Sequence, residues 1–159
     1  MSLLADKVAF VSGGGSGIGR AVAETYAAEG AKVVIADVNE EHGNAVVKAI
    51  TDAGGTAFFI KGDSSTPEDN KRFVAETVAK YGRLDVACNN AGIGGPAVPT
   101  GEYPLDGWDK VIALNLSGVF YACRYQLEQM KKSGGGSIVN IASIHRYSGS
   151  AKQRGVYRL

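Results

Sequence analysis

The run Val8-Ala9-Phe10-Val11-Ser12-Gly13-Gly14-Gly15-Ser16-Gly17-Ile18-Gly19-Arg20 constrains what this chain can fold into more than any other stretch. Val8 to Ser12 is mostly apolar and reads as a short buried strand. It stops at glycines, and Ile18, Ala21, Val22, Thr25 and Tyr26 then recur at helical spacing. The order is therefore strand, glycine turn, helix. Glycine accepts positive φ and, having no Cβ, lets the backbone come close to a bound group. The helix points its unpaired N–H groups and the positive end of its dipole at the turn, which makes an anion site. A tight turn with no ligand uses the same residues, so the cluster alone leaves both readings open.

Spacing narrows them. Gly13, Gly17 and Gly19 form G-x-x-x-G-x-G, with Ser12 just before. This is neither the G-x-G-x-x-G dinucleotide fingerprint nor a P-loop, since no Lys-Ser/Thr follows. The next apolar run, Val33-Val34-Ile35-Ala36, ends in Asp37, eighteen residues after Gly19. A carboxylate at the end of a second strand can accept hydrogen bonds from both ribose hydroxyls of an adenosine. It also repels a 2′-phosphate, and no Arg lies between Ile35 and Gly43 to receive one. The charge logic places NAD ahead of NADP as cofactor.

The rest of the chain supports one α/β domain over residues 1–159. Asn39 can cap a helix with Val46, Ala49, Ile50 and Ala53 on one face, ended by Gly54-Gly55. Thr56 to Lys61 reads as a third strand. Thr66 then caps a helix with Pro67 first, Glu68 and Asp69 in its first turn, and Val74, Val78 and Tyr81 facing inward until Gly82. Leu84 to Cys88 reads as a fourth strand. Strand–helix alternation of this kind implies parallel strands, right-handed crossovers and helices on both sheet faces. After Asn89-Asn90-Ala91-Gly92 comes an irregular stretch, then a helical pattern from Leu105 to Lys132. Its stripe is Trp108, Ile112, Asn115, Val119, Cys123, Leu127 and Met130. Asn115 is polar on an apolar stripe; it either bonds to backbone and kinks the helix or faces a reaction site. Ser137 to Ala142 is a fifth strand ending at Ser143, which sits where ligands bind in open α/β sheets.

A net charge of +1 gives no electrostatic reason to expect a nucleic-acid or membrane partner. Cys88 and Cys123 lack metal-ligand spacing and read as buried free thiols, and no metal site is expected. No apolar run has the length of a membrane span, so the expected location is the cytoplasm.

Together these residues resemble the short-chain dehydrogenase/reductase family. The matching motifs are Ser12-Gly13-x-x-x-Gly17-Ile18-Gly19, Asp37, Asp63, Asn89-Asn90-Ala91-Gly92, Asn115 in Leu114-Asn115-Leu116-Ser117-Gly118, and Gly136 to Ser143. They follow the family's order over residues 4–144. The resemblance implies a Rossmann-type doubly wound sheet in the order 3-2-1-4-5, without the family's later strands. It implies hydride transfer between a secondary alcohol and a ketone, and a homo-oligomer acting on small molecules. It also implies roles. The glycine loop cradles the pyrophosphate, Asp37 holds the adenosine ribose and Asp63 lies by the adenine. Asn90, Ala91 and Gly92 line the cofactor cleft, Asn115 holds a water in the proton relay, and Ser143 steadies the substrate oxygen.

The tail, 145–159, departs from the family. Members carry a Tyr about thirteen residues after the serine and a Lys four further on. The lysine makes the phenol usable as a base, since an isolated phenol titrates near 10. Tyr157 lies fourteen after Ser143, but only Arg158 and Leu159 follow; Tyr147, five before Lys152, is only four from Ser143. The expectation is a truncated or frameshifted member, with Tyr157 as candidate acid/base and impaired activity. The alternative is an inactive dinucleotide-binding remnant. A Rossmann-like methyltransferase is a third reading, disfavoured because it leaves Asn115 and Ser143 without roles.

Overall fold

In the computed structural model, which describes residues 2–143, five parallel strands form one sheet in the order β3-β2-β1-β4-β5. They are β1 (Val8–Ser12), β2 (Lys32–Asp37), β3 (Thr56–Lys61), β4 (Val86–Asn89) and β5 (Ser137–Asn140). The helices are α1 (Gly17–Ala28), α2 (Glu40–Asp52), α3 (Pro67–Tyr81), α4 (Leu105–Ile112) and α5 (Val119–Lys132). The expected strand order is the observed one. Val8 to Val11 and Val33 to Ala36 are buried on both faces, as parallel central strands must be.

Each face carries its own apolar layer. Ala9, Val11, Val33, Ile35 and Cys88 pack with Ala23, Val46 and Ile50 of α1 and α2. On the other face, Phe10, Val34, Ala36 and Ala87 pack with Phe73 and Val74 of α3 and Met130 of α5. The caps stand where the residue chemistry places them. Asn39 accepts a bond from the His42 N–H at 3.0 Å, Thr66 accepts one from the Asp69 N–H at 3.2 Å, and Gly82 closes α3 at φ +80°.

Polar ties hold the ends of the short strands. At the amino end, Asp85 accepts bonds from the Val8 N–H at 2.9 Å and from Arg83 at 2.5–2.9 Å. Burial favours its neutral form, but those donors outweigh burial and hold its carboxyl below the usual range. At the carboxyl end, the Asn89 amide donates to Gln126 at 3.0 Å and to Asn140 at 2.8 Å, while Gln126 donates back to Asn89 at 2.8 Å. Asn89 and Gln126 are buried, so these bonds satisfy amides that water does not reach.

Two boundaries and one helix differ from the sequence reading. The fourth strand begins at Val86, two residues later than expected, and runs through Asn89; the fifth ends at Asn140, two residues before Ala142. The single helix expected over Leu105–Lys132 is interrupted by a wide π turn, Ala113–Gly118. Its buried side is Val111, Gly118, Ala122, Gln126 and Met130, and Leu127, expected inside, is 51% exposed. The π turn carries an extra residue and rotates the helical face. Gly118 is pressed against the Ser64 carbonyl and Gln126 is drawn in by Asn89, so both sit inside the new phase.

Candidate functional site

A crevice of about 410 Å³ lies beyond the carboxyl ends of the strands. Its walls come from the glycine turn, the ends of β2 and β3, the segment after β4 and Leu114 of the π turn. The helix opening onto it is the unusual one. Whereas α2 and α3 have side-chain caps and acidic first turns, α1 begins at Ser16 with no side-chain cap bond and no acid in its first turn. Its first N–H groups have no helical acceptor, and the dipole adds positive potential at the same point. The charged side chains lining the crevice, Asp37 and Asp63, are both acids. An anion held there is therefore held by backbone N–H groups.

The turn is built by close approach. Gly13 has φ +62°, and a Cβ on it would lie 2.9 Å from the Ala91 Cα. Gly17 has φ +53°, and a Cβ there would meet no protein atom within 4 Å. Gly17 thus leaves space for something else, which is the property a ligand cradle needs. Gly19 differs from expectation. A Cβ on it would overlap the Gly13 carbonyl and lie 2.5 Å from the Asn90 amide nitrogen, so its smallness serves helix–turn packing. Ile18 lines the crevice and is 64% exposed.

Ser12 is buried, and its hydroxyl accepts bonds from the Asn90 and Ala91 N–H groups at 3.1 Å. The Asn90 amide donates back to the carbonyls of Ser12 and Gly13, both at 3.1 Å. Ser12 therefore positions the wall, while Asn90 both ties the two loops and lines the crevice with Ala91 and Gly92.

Asp37 is fixed by two backbone donors. One oxygen accepts the Gly15 N–H at 2.9 Å and the other the Asn39 N–H at 2.9 Å. A carboxylate offers about four acceptor positions, so two remain for further donors. Asp63 closes a turn, its carboxylate accepting the Ser65 N–H at 2.8 Å, and it faces the crevice beside Ser64. Val38, Ile93 and Leu114 complete the lining and were not anticipated. Gly15 was also missed; a Cβ there would sit 2.9 Å from an Asp37 oxygen, a crowding invisible until the chain folds.

Asn115 resolves its two alternatives toward backbone bonding. Its side chain accepts the Ile93 N–H at 2.9 Å and donates to the Ile93 carbonyl at 2.9 Å, within the π turn. It fastens the segment after β4 and is not among the crevice-lining residues. Ser143 is exposed beyond the carboxyl end of β5. Tyr157, Tyr147 and Lys152 lie outside the described residues. Burial pushes the Cys88 thiol up, which makes it an unreactive part of the core. Among the described residues no helix is long and apolar enough to cross a membrane.

Comparison with known proteins gives concordant matches. The sequence model of the family described as short chain dehydrogenase matches residues 7–157. A 3beta-hydroxysteroid dehydrogenase of Mediterraneibacter gnavus is 48% identical over 87% of this chain and 50% of its own length. A cyclohexanol dehydrogenase of an Acinetobacter species is 43% identical over 87% of this chain and 55% of its own. The crystal structure of levodione reductase superposes with a TM-score of 0.92 at 36% identity, covering 97% of this chain and 60% of that one. NAD+-bound xylitol dehydrogenase gives 0.93 at 29% identity, with 98% and 60% covered. The chain thus spans about half the length of the curated relatives it matches.

Proposed function

The chain belongs to the short-chain dehydrogenase family, and from that premise we propose that its crevice binds NAD for hydride transfer between a secondary alcohol and a ketone. The observation that carries the reading is the pairing of an uncapped, acid-free helix start at Gly17 with a doubly anchored Asp37 across one crevice. The first suits a pyrophosphate and the second a ribose diol. The space in front of Gly17 is the cradle a Cβ would fill.

When bound, NAD supplies the hydride acceptor; the remaining work falls to the chain. Backbone N–H groups at Gly17 and Ile18 balance the phosphate charge with no basic side chain. Asp37 uses its two remaining acceptor positions on the ribose hydroxyls and keeps a 2′-phosphate out by charge. Asn90 and Asn115 keep the wall between them in one place through their backbone bonds. Ser143 offers a hydroxyl to the substrate oxygen, and Tyr157 is the residue to exchange its proton. In oxidation the carbinol C–H breaks and its electron pair goes with the hydride. The hydroxyl proton leaves through the acid/base, and the C=O bond forms. Relatives named for cyclohexanol and for a hydroxysteroid support an alcohol of this kind. Cytoplasmic location and assembly into a homo-oligomer belong to the same proposal.

The test is titration of the protein into NADH, NADPH and S-adenosylmethionine, with nicotinamide fluorescence and calorimetry as readouts. NADH should bind tightest. Binding of the methyl donor without NADH would refute the reading.

A further inference from the structure

Resting on that reading, we propose that Asp69 and Arg72 of α3 are positioning residues for the adenine of the cofactor. Neither lines the crevice; both hold the turn after β3 so that one Asp63 oxygen is presented to the base. The sheet order places that base. The glycine turn follows β1 and Asp37 ends β2. A dinucleotide with its pyrophosphate at the first and its ribose at the second lays its base over the end of β3. There the crevice is lined by Gly62, Asp63 and Ser64.

Side chains of α3 grip this turn at three points. The Asp69 carboxylate accepts the Asp63 N–H at 2.7 Å, and the Asn70 amide donates to the Ser64 carbonyl at 2.8 Å. One Arg72 nitrogen donates both to the Lys61 carbonyl and to Asp69, each at 2.7 Å, so the guanidinium joins the two ends of the grip. Its other arm donates to Glu76 at 3.0 Å. Between these points the Gly62 N–H donates to the Asp37 carbonyl at 3.0 Å. A Cβ on Gly62 would lie 2.6 Å from the Phe73 ring and 2.7 Å from the Arg72 guanidinium, so this backbone is laid directly on α3.

Asp63 is thereby fixed through every polar group but one. Its N–H goes to Asp69, its carbonyl accepts the Thr66 N–H and hydroxyl, both at 3.2 Å, and its Oδ1 accepts the Ser65 N–H at 2.8 Å. Oδ2 has no bond among the described residues. An ionised carboxylate oxygen only accepts hydrogen bonds. Adenine carries an exocyclic amine, a donor, where hypoxanthine carries a carbonyl oxygen, so Oδ2 attracts the first and repels the second. The contrast sharpens as Oδ2 is held more narrowly, because a group ordered beforehand loses little freedom on binding. Asp69 is suited to anchor it. Burial favours the neutral form of Asp69, but the Asp63 N–H and Arg72 outweigh burial and hold its carboxyl below the usual range. Arg72 meets Lys61, Asp69 and Glu76 at once, a task for a planar guanidinium with five donors.

The experiment titrates the protein with NADH, with NADPH and with reduced nicotinamide hypoxanthine dinucleotide, which differs from NADH only in the base. Nicotinamide fluorescence reads binding and needs no turnover. The unaltered protein should bind NADH at least tenfold tighter than the hypoxanthine analogue. In Asp69→Ala that ratio should fall at least threefold. Asp69→Asn, the milder change, keeps an acceptor for the Asp63 N–H and should lower it less. Arg72→Met, which frees the Lys61 carbonyl and leaves Asp69 in place, should lower it as well. The NADH-to-NADPH ratio, set by the Asp37 side chain, should stay within twofold in all three variants, whereas general loosening of the fold would lower both ratios. Equal affinity for the two bases in the unaltered protein would overturn the proposal. So would variants whose base ratio is unchanged, or falls together with the NADPH ratio. Failure of the unaltered protein to bind NADH would instead overturn the cofactor reading, and this inference with it.

Discussion

Replacing Asp37 by Ala should collapse discrimination between NADH and NADPH. The carboxylate has two acceptor positions left once the Gly15 and Asn39 N–H groups are served. A hydrogen bond to a charged group contributes about 1.5–3 kcal/mol. Asp37 is partly exposed, so the low end applies, and two ribose bonds total about 3 kcal/mol. At 1.4 kcal/mol per decade this is a loss of about 100-fold in NADH affinity. NADPH lacks one of those hydroxyls and places a phosphate beside the carboxylate; two unit charges 4 Å apart in water repel by about 1 kcal/mol. Its affinity in the variant should therefore hold or rise. Asp37→Asn, which keeps an acceptor but removes the charge, should fall between. Fluorescence titration at two salt concentrations measures both terms, since only the repulsion is screened. Equal affinity for the two cofactors in the unaltered protein, or an unchanged ratio in Asp37→Ala, would refute the reasoning.

Gly17→Ala and Gly19→Ala should fail in different ways: the first keeps the fold at a strain cost of about 1–2 kcal/mol and loses NADH binding, while the second lowers the melting temperature through its clash with the Gly13 carbonyl. Similar melting temperatures for both variants would contradict this. Asp85→Asn should cost about 2–3 kcal/mol at neutral pH. Because the folded carboxyl is held below its unfolded value, that advantage is complete above about pH 4 and disappears as pH falls through the folded value. A gap in thermal stability that persists unchanged into strong acid would exclude the carboxylate as its source. The protein should also self-associate: β5 pairs only with β4 among the described residues, and Phe120 and Leu127 are exposed on α5. A single monomeric species by sedimentation at high concentration would count against it.

Much of this was readable from the residues because the relevant physics is local or of fixed hand. Asn39 and Thr66 cap helices through bonds spanning three residues, and strand order follows from right-handed crossovers. Asp37 was legible because a strand end is easy to locate. The face of α5 was not, because a π turn leaves no mark in periodicity, and the groups that meet it, the Ser64 carbonyl and Ile93, come from distant segments. For the same reason Gly19 was read as clearance for a ligand, when the atoms it clears belong to Gly13 and Asn90.

The amide cluster of Asn89, Gln126 and Asn140 has a bearing on Ser143. A four-residue strand could slide along its neighbour at small loss of backbone bonding. Side chains alternate between faces, so a slip of one residue would turn Asn140 away, bring Val139 against the Asn89 amide and pull Ile138 from its place with Met130. The stranded amide alone would cost about 1–3 kcal/mol. The same slip would move Ser143 about 3.3 Å along the strand, a full hydrogen-bond length away from its station. Two buried amides and the one they hold at the rim thus act as a key that allows β5 one alignment, and so set how far the serine reaches.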